Sequence, residues 1–148
     1  MEFIMENVIG TKTITQIAFV VRDIELTKKK FADFFGMEAP NHFATQKTRD
    51  NIYNNEPAPD ISAMLAFIDI GAGLQIELIQ PNGASSVWQD VLDQQGEGFH
   101  HIAFRIEGMD NKIQACENLG MRCLQRGNGY AYLDAFAGIN CLIELLGE

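Results

Sequence analysis

Between Ile14 and Val21 the chain alternates in the manner of a strand: Ile17, Phe19 and Val21 fall on one side, Gln16, Ala18 and Val20 on the other. From Ile24 to Phe35 the apolar spacing becomes helical, and Gly36 follows where a helix C-cap favours glycine. Two apolar runs, Ile61 to Ile70 and Leu74 to Ile79, predict a hairpin turning at Gly71-Ala72-Gly73. The second half opens like the first. A strand near His100 to Ile106 puts Ile102, Phe104 and Ile106 on one face, His101 and Ala103 on the other. A helix from Asp110 to Leu119 follows, then strands near Met121 to Gln125, Tyr130 to Asp134 and Cys141 to Leu146. Residues Asn41 to Asp60, rich in Asn, Pro and charge, predict an inserted loop with a short strand and no counterpart in the second half. Long loops of this kind often cover ligand sites.

The pattern therefore repeats, and so do its residues. Gln16-Ile17-Ala18-Phe19 returns as His101-Ile102-Ala103-Phe104, and each copy leads past an acidic turn, at Asp23 or Asp110, into its helix. The helices end at Phe35-Gly36-Met37 and Leu119-Gly120-Met121. A second echo pairs Gln75-Ile76-Glu77-Leu78 with Leu142-Ile143-Glu144-Leu145. Two matched pairs in one order around a matched helix mark an internal repeat, and halves this small need a shared core.

Alternation then sorts the polar residues. Ile76, Leu78, Ile143 and Leu145 take the apolar faces, so Glu77 and Glu144 project from the face opposite the helices, as Gln16 and His101 do. If a pseudo-twofold relates the repeats, the four converge on one cleft. His100, adjacent to His101, should point the other way and be dispensable there. Carboxylates flanked by apolar residues are costly unless paired, protonated or bound to a cation. Two carboxylates, an imidazole and an amide oxygen suit a divalent ion and leave two octahedral positions for water or substrate. Such an ion would acidify the C–H beside a bound carbonyl, and a carboxylate would serve as base. Taken singly, each residue has a duller reading, a rim histidine or an exposed glutamate; their matched placement makes the set.

Composition narrows the rest. The 148 residues fit one domain, and 47% hydrophobic with 21% charged residues is globular. A net charge of −9 argues against a nucleic-acid partner. The one basic run, Lys28-Lys29-Lys30, reads as the solvated side of its helix. Cys116, Cys123 and Cys141 lack metal or redox spacing and read as buried or half-buried free thiols. Met1 to Gly10 lacks a basic n-region, and Asp69 and Glu77 interrupt the longest apolar stretch. The expectation is a cytoplasmic protein with no membrane partner.

At these residues the chain resembles the vicinal-oxygen-chelate superfamily, which includes glyoxalase I, methylmalonyl-CoA epimerase, extradiol dioxygenases and bleomycin-resistance proteins. The resemblance runs from about Thr13 to Leu146 and is most specific at Gly96-Glu97-Gly98-Phe99-His100-His101-Ile102-Ala103-Phe104 and Ile76-Glu77-Leu78-Ile79-Gln80-Pro81. It implies an α+β fold: one domain, 1–148, of two tandem βαβββ modules, about 13–80 and 99–147, forming a barrel-like metal-binding cleft. It places Gln16, Glu77, His101 and Glu144 on the metal-ligand positions, for one divalent ion such as Zn, Ni, Co or Mn. The implied activity is that of an isomerase or lyase acting on a thioester or thiol adduct, with Glu144, helped by Glu77, moving a proton. Epimerases of the family typically carry histidine where Gln16 stands, and some glyoxalases carry glutamine. The epimerases also use a further first-module carboxylate, and Ile61 to Phe67 offers none, with Asp60 or Asp69 forced substitutes. Rival readings are an extradiol-type dioxygenase and a metal-free small-molecule binding or resistance protein. The binding protein would use Trp88, Phe99 and Tyr132 as its wall; as core aromatics, Trp88 and Phe99 have a simpler place. Relatives commonly form homodimers, and the same is expected here.

Overall fold

A computed structural model describes residues 6–147; the first five residues of the segment read for a leader lie outside them. The elements in order are β1 (Gln16–Val20), α1 (Ile24–Phe35), β2 (His42–Ala44), β3 (Ile52–Tyr53), β4 (Glu56–Pro57), β5 (Ala63–Asp69) and β6 (Gln75–Pro81). They continue with α2 (Val87–Gln95), β7 (Gly98–Arg105), α3 (Met109–Asn118), β8 (Cys123–Gly127), β9 (Tyr130–Ala135), α4 (Phe136–Ile139) and β10 (Cys141–Leu146). All strands join one mixed sheet in the order β2-β5-β6-β1-β7-β10-β9-β8-β3-β4. The fold is α+β, built of βαβββ-like modules. The halves meet where β1 runs antiparallel to β7, and each of these has a parallel neighbour, β6 or β10.

Local chemistry sets the helix ends. Asp23 caps α1 by accepting from the Leu26 N–H at 3.1 Å. Gly36 closes it at φ 66°, a left-handed conformation that costs a glycine nothing and leaves its N–H to bond Ala32 O. Helix α1 buries Ile24, Lys28 and Ala32, one stripe at spacings of four. Lys28 therefore belongs to the packed face, against the expectation of a wholly solvated run; its Nζ lies 3.0 Å from His42 Nδ1. Lys29 and Lys30 are exposed as expected.

Two elements differ from the sequence reading. Strand β2 is the first module's equivalent of β8, so His42–Ala44 does have a counterpart. It is three residues long and half exposed, too short to show alternation. Helix α2 was not foreseen at all. Ser86 caps it by accepting from the Gln89 N–H at 3.0 Å, and Val87, Trp88, Val91 and Leu92 turn inward. The stretch Ser86-Val87-Trp88-Gln89 held that signal.

Three apolar clusters result. One lies under α1, with Ile24, Ala66, Ile68 and Leu78; another lies under α3, with Ile113, Cys116, Leu133 and Leu145. The third fills the concave side, where Trp88, Val91 and Leu92 pack on Ala18, Val20, Ile79, Tyr132 and Leu142. Each such side chain contributes roughly 1.5–3 kcal/mol on burial, so α2 is a structural plug for half the cleft. The excursion after β2 crosses to the other module: β3 pairs with β8. The three cysteines are free, two buried and Cys123 half-buried. Among the described residues no helix is long and apolar enough to cross a membrane.

Candidate metal centre

Strand register assembles the site. Across β6, β1, β7 and β10, one row on the concave face is Glu77, Ala18, His101, Leu142. The next row is Gln75, Gln16, Ala103, Glu144. The chemically active side chains thus alternate with Ala18 and Ala103, both fully buried. Neighbouring strands lie about 4.8 Å apart, so each alanine is a gap over which flanking side chains lean together. That explains the alanine in both copies of the repeated motif: position one carries the polar group, position three the floor.

Gln16, Glu77, His101 and Glu144 are between 0% and 5% exposed. His101 Nε2 lies 3.0 Å from Glu144 Oε1 and 3.4 Å from Glu77 Oε1. Ligand atoms of these three residues all fall within 4.8 Å of one another, so the group can hold a metal ion. Close as they are, these atoms do not meet at hydrogen-bonding angles. Among the described residues, the buried side-chain atoms without a hydrogen bond are Gln16 Oε1, Glu77 Oε1, His101 Nε2 and Glu144 Oε1. Each is a lone-pair donor, and each comes from one of the four residues singled out by sequence. The Gln16 amide nitrogen is engaged with Gln75 Oε1 at 3.4 Å, which leaves its oxygen for the cleft.

The electrostatics follow from crowding. Burial, and then the Glu144 charge, push Glu77 well above the ordinary carboxylate range. Opposite Glu144 across the β9–β10 pair stands Tyr132. It accepts from Trp88 Nε1–H at 2.9 Å, so its own proton is free for the Glu144 carboxylate. Burial above all holds that phenol well above its usual value.

His100 corrects the sequence reading. Ala18 faces His101 while Phe19 faces Phe99, so His100 has no partner on β1 and is the extra residue of a β-bulge. The bulge breaks the alternation and brings His100 inward beside His101, only 2% exposed. The two Nδ1 atoms are 2.8 Å apart, and His100 Nε2 lies 3.3 Å from Val87 O. Burial, then the neighbouring His101, pull His100 down to about 3. Phe99, opposite Phe19, takes the outer face and is 43% exposed, so it is neither cleft wall nor core. Trp88 is a core aromatic.

Beside the plug, a cavity of about 260 Å³ is lined by residues including Thr45, Asn51, Leu65, Trp88 and Tyr130. Its wall is fastened by Tyr130 Oη donating to Asn51 Oδ1 at 3.0 Å; separately, Tyr53 Oη donates to Asp90 Oδ2 and ties the excursion to α2.

A family model described as the Glyoxalase/Bleomycin resistance protein/Dioxygenase superfamily matches residues 15–136. The chain belongs to that superfamily. Its fold is similar to that of methylmalonyl-CoA epimerase from Mycobacterium tuberculosis, at a TM-score of 0.66 and 20% identity over 98% of this chain and 92% of that one. An epimerase variant from Streptomyces coelicolor, in complex with 2-nitronate-propionyl-CoA, gives 0.66 and 20%, over 92% and 94% of the two chains. The uncharacterized protein YqjC of Bacillus subtilis (strain 168) is 29% identical over 73 residues, 49% of this chain and 51% of that protein. The match thus spans about half the length of that curated relative. At 20% identity the solved structures share the fold alone.

Proposed function

We propose that this superfamily member is a divalent-metal-dependent isomerase or lyase that removes a proton α to a carbonyl. The observation that carries this reading is the set of four enclosed lone-pair atoms, on Gln16, Glu77, His101 and Glu144, with no hydrogen bond among them. A buried polar atom left unsatisfied costs about 1–3 kcal/mol. One divalent cation would satisfy all four, and two carboxylates would balance its charge. Once bound, it would supply Lewis acidity to a substrate carbonyl oxygen. The chain's own residues would do the rest. Glu144, steadied by the Tyr132 hydroxyl, takes the proton at a carboxylate oxygen. Glu77, the second carboxylate of the set, faces the same space and is placed to help move it. Gln16 binds without adding charge, and α2 with its apolar residues keeps water from half the cleft.

The substrate class proposed is a thioester or a thiol adduct of a 2-oxoaldehyde. The epimerase neighbours, one holding an acyl-CoA analogue, favour the thioester. The inward face of β5 favours the adduct: Ala63, Leu65 and Phe67 stand there. The acid on that face, Asp69, sits at the exposed end of the strand accepting from Gln75 Nε2 at 2.9 Å, so no buried acid is at hand as a further base. His100 is unsuited to be a second histidine ligand of a dioxygenase type, since both its nitrogens are engaged. Metal analysis of the purified protein separates the enzyme from a metal-free binding protein. The test of mechanism is exchange of the substrate α-proton with deuterated solvent, on a panel of thiohemiacetals and 2-substituted acyl thioesters. Glu144→Gln keeps an oxygen ligand but removes the base, and should slow exchange roughly 10²- to 10⁴-fold. Exchange at the wild-type rate would move the base elsewhere, and no exchange by the metal-loaded wild type on any substrate would overturn the reaction class.

A further inference from the structure

We propose that His100 is a positioning residue for the metal centre: it accepts a hydrogen bond from His101 Nδ1–H, and so keeps the proton on that nitrogen and leaves Nε2 as the ligating atom. The inference rests on the metal reading above and concerns a residue outside the four ligands.

The proton count along the chain of contacts decides it. A carbonyl oxygen only accepts, so the contact between His100 Nε2 and Val87 O requires a proton on that nitrogen. The Nδ1–Nδ1 contact of 2.8 Å needs one proton between the two rings. If it belonged to His100, that ring would carry two protons and a full charge. His100 is 2% exposed, and its nearest aromatic neighbours are His101 and Tyr132, at centroid distances of 5.1 and 5.6 Å. A buried charge without an anionic partner is strongly disfavoured. The proton therefore sits on His101 Nδ1. What His101 presents to Glu77 and Glu144 is then Nε2, the atom found without a hydrogen bond. Metal-bound imidazoles are commonly held this way, with the second ring nitrogen donating to a fixed acceptor. Here the acceptor is another imidazole, itself anchored to the first residue of α2. The bulge in β7 is what makes the contact, because a regular strand would point His100 away. The plug helix and the metal centre are thereby linked through two rings.

The test uses the full chain with histidine labelled by ¹⁵N, and zinc as probe against a competing chelator. The wild type should show a proton on His101 Nδ1 that is protected from exchange, both without and with zinc. His100→Phe fills the space without an acceptor and should weaken zinc binding by roughly 10- to 100-fold. In His100→Asn, the side-chain oxygen falls near the place of Nδ1, and most of the affinity should return. A His101 that carries no Nδ1 proton, or zinc affinity in His100→Phe within twofold of wild type, overturns the proposal. The wild-type spectrum needs no variant, so it decides the tautomer even where phenylalanine at 100 prevents folding. Wild type that shows the Nδ1 proton but takes up no zinc removes the metal reading, leaving the histidine pair as a packing contact.

Discussion

Glu77→Gln should raise the stability of the metal-free protein and shrink the further gain that the metal ion gives. Ligand atoms of Glu77, His101 and Glu144 lie within 4.8 Å of one another, with both carboxylates nearly closed to solvent. Two unit charges at that distance repel by about 3.5 kcal/mol at an effective dielectric constant of about 20. His101 between them, and the proton that Glu77 retains, relieve part of this. Glutamine keeps the shape, removes the charge and can donate to Glu144. A net gain of about 2 kcal/mol is expected on replacing such a group with a neutral isostere, or roughly 4–8 °C in Tm for a chain of this size. With an ion at a hundred times its Kd, the wild type gains about 2.7 kcal/mol. At least tenfold weaker affinity in the variant would cut that gain to about 1.4 kcal/mol or less. Thermal melts with chelator and with graded zinc read both effects. A Glu77→Gln variant that melts lower with chelator present, or gains as much from zinc as wild type, would refute the reasoning.

Two further outcomes follow from the geometry. Ala103→Leu places a large side chain between Gln16 and Glu144, and should cost about 1–3 kcal/mol by overpacking and abolish measurable zinc uptake; uptake at the wild-type level would mean that the gap is not the ion's floor. The pH dependence should separate metal-free from loaded protein. Glu77 holds its proton more tightly folded than unfolded, so its contribution to metal-free stability is complete below the ordinary value of about 4.3 and is lost as pH rises toward the folded value. The Tm of wild type relative to Glu77→Gln should therefore fall with rising pH under chelator. Zinc uptake, which displaces that proton, should strengthen over the same window with proton release measurable by calorimetry. A flat difference across the window would place the proton elsewhere.

The centre was legible because strand alternation is a hard geometric rule. Gln16 with His101, and Glu77 with Glu144, could be placed on one face from neighbours such as Ile17 and Ile143 alone. His100 was misplaced by the same rule, since a bulge is a property of pairing and leaves no periodicity to read. The short strand expected within Asn41 to Asp60 is present, but its equivalence to β8 is hidden because the three half-exposed residues of β2 carry no pattern. Helix α2 is hidden for a different reason: Ser86 and Gln89 do mark its start, but the segment has no copy in the other half for the repeat to reveal. Lys28 shows the limit of judging a charge run by composition, because its spacing from Ile24 and Ala32 puts it on the packed stripe whatever its charge.

The excursion that carries β3 across to β8 bears on how the two halves can separate. The chain passes between modules once through α2, and it has already reached over and returned before β5 begins. Tyr130 to Asn51 and Asn128 to Asp50 add side-chain ties along the same seam. The two repeats of this molecule are therefore joined twice, at the β1–β7 junction in the middle of the sheet and at its β8 side. Exchanging repeats between two copies would require unfastening β3 from β8 as well as opening the β1–β7 junction. The arrangement favours a centre completed within a single chain, with Gln16 and Glu77 meeting His101 and Glu144 of their own molecule.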